Sequence, residues 1–108
     1  MSAQLPKLVR DKIPELITNS GKQPVWHTTT SLDEHTRMLY DKINEEFLEF
    51  VETPSLEEAG DCIEVLRALF SFHGWSIDDA IAAANDKATE RGGFYYGIIL
   101  NAIQPQVP

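Results

Sequence analysis

Three Ser-x-x-acid boxes divide this chain into helical lengths: Ser31-Leu32-Asp33-Glu34, Ser55-Leu56-Glu57-Glu58 and Ser76-Ile77-Asp78-Asp79. A serine hydroxyl at an N-cap satisfies an orphan backbone N–H of the first turn, and an acid three residues on completes the start signal. The boxes predict helices over 32–52, 56–73 and 77–91. The stops agree with the starts. Thr53-Pro54 ends the first helix, because the residue before proline avoids the helical region. His73-Gly74 ends the second, with glycine as the left-handed cap and histidine near the negative end of the dipole. Arg91-Gly92-Gly93 ends the third. A shorter helix is expected from Pro14 to Asn19, closing at Ser20-Gly21. Val25 to Thr30 and Phe94 to Ile103 are rich in β-prone residues, so each suits a minor extended segment. The fold class read from this pattern is all-α: one domain over 1–108, a bundle of about four helices with short loops, and a loose tail over 104–108.

The faces of these helices set up a conflict of charge. On 32–52, Leu39, Tyr40, Ile43, Phe47 and Phe50 share one side, the expected core stripe. Glu46 borders that stripe, Glu49 sits further round, and Glu45 and Glu52 face away. The 56–73 helix has only a narrow polar face, Glu57, Glu64 and Arg67, and is apolar around most of its circumference. Such a helix is expected to be central. Glu58 and Asp61 lie away from the polar face and point inward or into an interface. Residues three apart on a helix are about 60° apart, so Glu46, Glu49, Glu58 and Asp61 converge if the two helices face each other. Clustered carboxylates resist leaving water. A hard divalent cation, Mg2+ above all, relieves that repulsion. The competing reading is that each acid pair is a solvated helix face, with Glu58 serving only its capping box.

Composition bounds the function. Hydrophobic residues are 43% and charged residues 24%, as in ordinary globular domains. A net charge of -8 argues against a nucleic-acid polymer as partner but not against a metal–nucleotide ligand, because the metal reverses the local sign. Cys62 is the single cysteine, which points to a reducing cytoplasm and reads as packing rather than as a nucleophile. No apolar run approaches the ~20 residues that span a bilayer, and Met1 to Pro6 carries no signal-peptide core.

Glu45-Glu46-x-x-Glu49 followed by Glu58-x-x-Asp61 resembles the signature of the all-α, MazG-like nucleoside triphosphate pyrophosphohydrolases. Asn85-x-Lys87-x-x-x-Arg91 resembles the family's third block. Lys7-Leu8-Val9-Arg10-Asp11-Lys12-Ile13-Pro14-Glu15 and Arg91-Gly92-Gly93-Phe94 look like a phosphoribosyl-ATP pyrophosphohydrolase-like, house-cleaning subgroup. The blocks span Lys7 to about Leu100. The gap between Glu49 and Glu58 is shorter than in many members, and Pro54-Ser55 makes a tight turn there.

The resemblance implies an enzyme that converts an NTP and water to NMP and pyrophosphate. Glu46, Glu49, Glu58 and Asp61 would be the metal ligands for Mg2+, with Mn2+ as a substitute. Glu45 and Glu49 compete for the catalytic role of orienting water or accepting its proton. Lys87 and Arg91, i and i+4 on one helix face, would bind phosphate oxygens, in their own subunit or in a neighbour's; the plain alternative is helix-dipole complementarity. Asn85 lies about 160° from Lys87 and is assigned to base or ribose contact or to local capping. Lys7, Arg10 and Lys12 form a second basic cluster, for phosphates or as ordinary surface charge. Trp26, Phe94 and Tyr95 are candidates for base stacking, with core or interface packing the stronger reading. His27 and His35 read as surface. The apolar central helix implies a homodimer or homotetramer. The substrate class stays open between non-canonical NTPs, dNTPs and phosphoribosyl-ATP. Two other classes also stand, a non-catalytic metal or nucleotide sensor and a structural helical oligomer.

Overall fold

The computed structural model describes residues 5–106. Among them the chain is all-helical, with no strand: α1 Ile13–Asn19, α2 Leu32–Glu52, α3 Leu56–Ser71 and α4 Ile77–Arg91. It divides into two compact units, Met1–Ile77 and Asp78–Pro108. Helices α2, α3 and α4 each begin at the residue after a box serine. The Ser31 hydroxyl accepts from the Glu34 N–H, and the Ser55 hydroxyl from the Glu58 N–H, both at 3.1 Å. Glu34 also reaches back to accept the Thr30 N–H at 2.8 Å, and that bond holds its carboxyl below the ordinary value.

The first unit is organised by its ends as much as by its core. Regular helix in α3 stops at Ser71 rather than at the expected His73 because the last turn tightens: Phe72 and His73 donate to the Leu69 and Phe70 carbonyls. Gly74, at φ +77°, then lets Trp75 donate back to Phe70 at 3.1 Å while Gly74 itself donates to Ser71 at 3.1 Å. This is a Schellman closure, accompanied by the apolar contact such closures favour: the Phe70 and Trp75 rings lie 6.3 Å apart. Helix α1 ends the same way at Gly21, with Lys22 donating to Ile17 and Gly21 to Thr18.

Across the Thr53-Pro54-Ser55 link, α2 and α3 pack on each other as an αα-hairpin. Leu39 of α2 with Val65 and Leu69 of α3 form the buried seam, and Leu8, Ile43, Ala68 and Phe70 pack against it. Leu8 thereby ties the segment before α1 to the hairpin.

The expected α2 stripe is only partly covered. Leu39 is buried and Ile43 and Phe50 are half-buried, but Tyr40 and Phe47 are exposed. Leu56 and Ile63 on α3, and Phe72 just after it, are exposed as well. The reason is geometric: a single partner helix covers one strip of a cylinder, and these residues lie outside it. The minor extended segments do not form. A strand must pair its backbone N–H and C=O groups, and the described residues offer neither 25–30 nor 94–103 a neighbouring strand. Of the expected tail, residues 104–106 are exposed and non-helical and the rest lies outside the described residues, as does most of Met1 to Pro6. No helix among the described residues is long and apolar enough to cross a membrane.

Leu39→Ala opens a cavity at the seam and is expected to lower stability by about 2–5 kcal/mol. Arg37→Ala, on the exposed side of the same helix, should stay within about 0.5 kcal/mol. Urea unfolding of both variants checks the placement of the seam.

Candidate metal centre

Helix α2 carries Glu45, Glu46 and Glu49 within about one turn, and α3 carries Glu58 and Asp61 in its first two turns. The tight link sets the end of α2 beside the start of α3, so the two acid pairs meet. Carboxylate oxygens of Glu45, Glu46 and Glu49 lie within 4.8 Å of one another, and so do those of Glu46, Glu58 and Asp61. Glu46 belongs to both groups. It is also the single buried charged residue among those described, 7% exposed.

Two cations partly balance these acids. Lys42, one turn before Glu46, donates to Glu45 Oε2 at 2.9 Å and stands 3.3 Å from Glu46 Oε1. Burial alone would pull its ammonium toward the neutral form, but the bonds to Glu45 and Glu46 outweigh this and raise its pKa. Arg10, from the segment before α1, donates Nη2 to Asp61 Oδ1 at 2.6 Å. Five carboxylates against two cations leave a surplus of negative charge. Burial pushes the Glu58 carboxyl up, and Asp61, Glu46 and Glu57 push it further. Glu49 is raised by burial and then by Glu46, Glu58 and Glu45. The Cys62 thiol is raised too, by burial and then by Glu46, Asp61 and Glu58.

The fit to a cation rests on two atoms. Glu46 Oε2 and Glu58 Oε2 are shut from solvent, and neither has a hydrogen-bond partner among the described residues. An orphaned buried carboxylate oxygen is costly. Two of them, in an all-oxygen set that offers several further donors, suit a hard divalent ion.

The carboxylates stand between two cavities. The larger, about 420 Å³, has Leu8, Leu39 and Val65 among its apolar walls and Arg10, Lys12 and Lys42 among its charged ones, and it reaches Glu46 and Asp61. The smaller, about 210 Å³, is lined by Glu49, Glu52, Thr53 and Glu58. Arg10 and Lys12 of the second basic cluster line the larger cavity, while Lys7 is not part of its wall. Asn85, Lys87 and Arg91 belong to the second unit, where all three are exposed on α4 and Arg91 Nε stands 3.8 Å from Glu90. Trp26, Phe94 and Tyr95 are exposed rather than packed in a core. His35, expected at the surface, is half-buried: its ring meets Phe72 edge-on at 4.9 Å, and it borders the larger cavity. His27 is exposed and Cys62 half-buried. Lys42 escaped the sequence reading, although its i, i+3 and i, i+4 spacing to Glu45 and Glu46 was the available signal.

Glu49 and Glu58 hold protons more tightly folded than unfolded. They therefore favour the folded chain at low pH, and that contribution is lost as pH rises above the ordinary value of 4.5. Glu58→Gln and Glu49→Gln are each expected to flatten the fall in melting temperature between about pH 4 and about pH 7 in metal-free buffer. A slope identical to wild type in both variants would contradict the raised carboxyls.

No family model, curated protein or solved structure matches the chain, so its acids and cations themselves carry the functional reading.

Proposed function

We propose that this protein is a Mg2+-dependent nucleoside triphosphate pyrophosphohydrolase, cleaving between the α and β phosphates to give NMP and pyrophosphate, with non-canonical nucleotides as its house-cleaning substrates. The observation that carries the proposal is the buried Glu46, shared by both oxygen groups and left with an Oε2 unpartnered among the described residues. Glu46, Glu49, Glu58 and Asp61 would hold Mg2+, with Mn2+ as a substitute. The ion, when bound, neutralises triphosphate charge and acidifies a water.

The chain's own residues supply the rest. Arg10, Lys12 and Lys42 put positive charge on the wall of the larger cavity, where phosphate oxygens gain charge-assisted hydrogen bonds. The apolar walls of the same cavity suit the less polar end of a nucleotide. Glu45 is committed to Lys42, whereas the Glu49 carboxylate accepts no hydrogen bond among the described residues and lines the smaller, acidic cavity. That favours Glu49 over Glu45 as the group that takes the proton from the attacking water, with Glu45 holding Lys42 in place. Asn85, Lys87 and Arg91 keep their proposed roles as phosphate and nucleoside contacts.

A homodimer or homotetramer is part of the proposal. The buried apolar seam among the described residues is three side chains, too small a core for a chain of 108 residues. Phe47, Leu48 and Val51 on α2 and Leu56 and Ile63 on α3 are exposed. A second copy presenting the same apolar faces covers them with a self-complementary surface.

A substrate panel with pyrophosphate detection tests the activity. Glu46→Ala and Asp61→Ala are each expected to lower turnover by more than about 100-fold, since loss even of groups supporting a metal ligand costs 10–100-fold, while helix content stays near wild type. Full activity in both variants would refute the site. Metal binding without turnover on any canonical or modified nucleotide would make the protein a sensor, and absence of metal binding would leave a structural oligomer. The melting temperature is also expected to rise with protein concentration, as it does for folded oligomers.

A further inference from the structure

We propose that Arg10 is a displaceable counter-ion: it holds the place at Asp61 that a divalent cation takes on loading, and once displaced it turns to the phosphate that the cation brings. This rests on the metal-dependent reading above and assigns the order in which that site is filled.

The two cations at the acid cluster are held in different ways. Lys42 is local to its partners on the same helix, and its side chain is only 16% exposed. It has nowhere to go. Arg10 comes from a separate segment, and its side chain is 56% exposed against 31% for Asp61. An ion pair open to water is weak, because both partners are readily solvated when it breaks. Yet Asp61 is one of three residues whose oxygens gather within 4.8 Å, together with the orphaned Glu46 and Glu58. A doubly charged ion engages all three carboxylates at once, whereas the guanidinium engages one. The ion and the guanidinium also repel each other across the same carboxylate. The divalent ion therefore wins Asp61, and Arg10 is released at the edge of the cavity it already lines with Lys12 and Lys42. A free guanidinium there has the donor geometry to grip phosphate oxygens in pairs. Metal and polyphosphate binding are then coupled favourably through one side chain.

The coupling has a signature of opposite signs. Arg10→Ala removes a competitor for Asp61 and is expected to tighten binding of Mn2+ alone by roughly 3- to 10-fold. The same variant is expected to weaken binding of inorganic pyrophosphate in saturating Mn2+ by roughly 10-fold or more. Calorimetric titration of the full chain reads both. Lys12→Ala removes one positive charge from the same cavity wall and sets the background for a general charge effect. Arg10→Lys should keep Mn2+ affinity near wild type and recover pyrophosphate binding only in part. A purely structural Arg10 would weaken both ligands together, with a lowered melting temperature, and that result overturns the proposal. So does a gain in Mn2+ affinity no larger than that of Lys12→Ala. Wild type failing to bind Mn2+ at all would overturn both this inference and the proposed enzyme. Normal Mn2+ and pyrophosphate results without hydrolysis of any nucleotide would overturn the enzyme alone.

Discussion

One buried carboxylate governs the rest of this structure. Glu46 sits beside the apolar seam of the α2–α3 hairpin, in reach of four other acids, with one of its oxygens unanswered among the described residues. Removing such a group from water is unfavourable by several kcal/mol unless charge and hydrogen bonds compensate. Lys42 answers the other oxygen from one turn away, but a single ammonium shared with Glu45 cannot neutralise the cluster. The surroundings show the strain in a second way, through the carboxyls of Glu49 and Glu58 and the thiol of Cys62, all of which are pushed toward their protonated forms.

The hairpin tolerates this because the termini of its helices are secured by backbone caps and turns that do not depend on the state of its carboxylates. Serine caps start α2 and α3, Pro54 closes α2, and the Gly74 turn with Phe70 against Trp75 finishes α3. Each contributes on the order of a kcal/mol or less, and none uses a carboxylate of the cluster, the Ser55 cap bonding only the backbone N–H of Glu58. A chain arranged in this way can hold a locally unfavourable cluster at one point of its seam. That division of labour is what a functional site built into a stable element requires.

Helix starts and stops were legible in the residues because caps and left-handed glycines are local chemistry: Ser31, Ser55 and Gly74 act within a few residues of themselves. The meeting of Glu46, Glu49, Glu58 and Asp61 was legible too, since i, i+3 spacing on two helices joined by three residues leaves few other arrangements. What depended on distant partners was not. The Arg10–Asp61 bond joins residues 51 positions apart, and no periodicity announces it. His35 looked like surface until Phe72 supplied a neighbour for its ring. Tyr40 and Phe47 followed the apolar period of α2 correctly, yet period says only which side of a helix they share, not what covers it. Val25 to Thr30 had strand-like residues, and composition cannot show that the partner strand is missing.

The five acids of the candidate centre all fall between Glu45 and Asp61 on two neighbouring helices joined by Thr53-Pro54-Ser55. Little chain has to be closed into a loop to bring them together, and the entropy lost in assembling them is correspondingly small. A cage of this kind takes shape as soon as its hairpin does. During synthesis, the clustered carboxylates can be gathered while everything after Ser71 has yet to leave the ribosome.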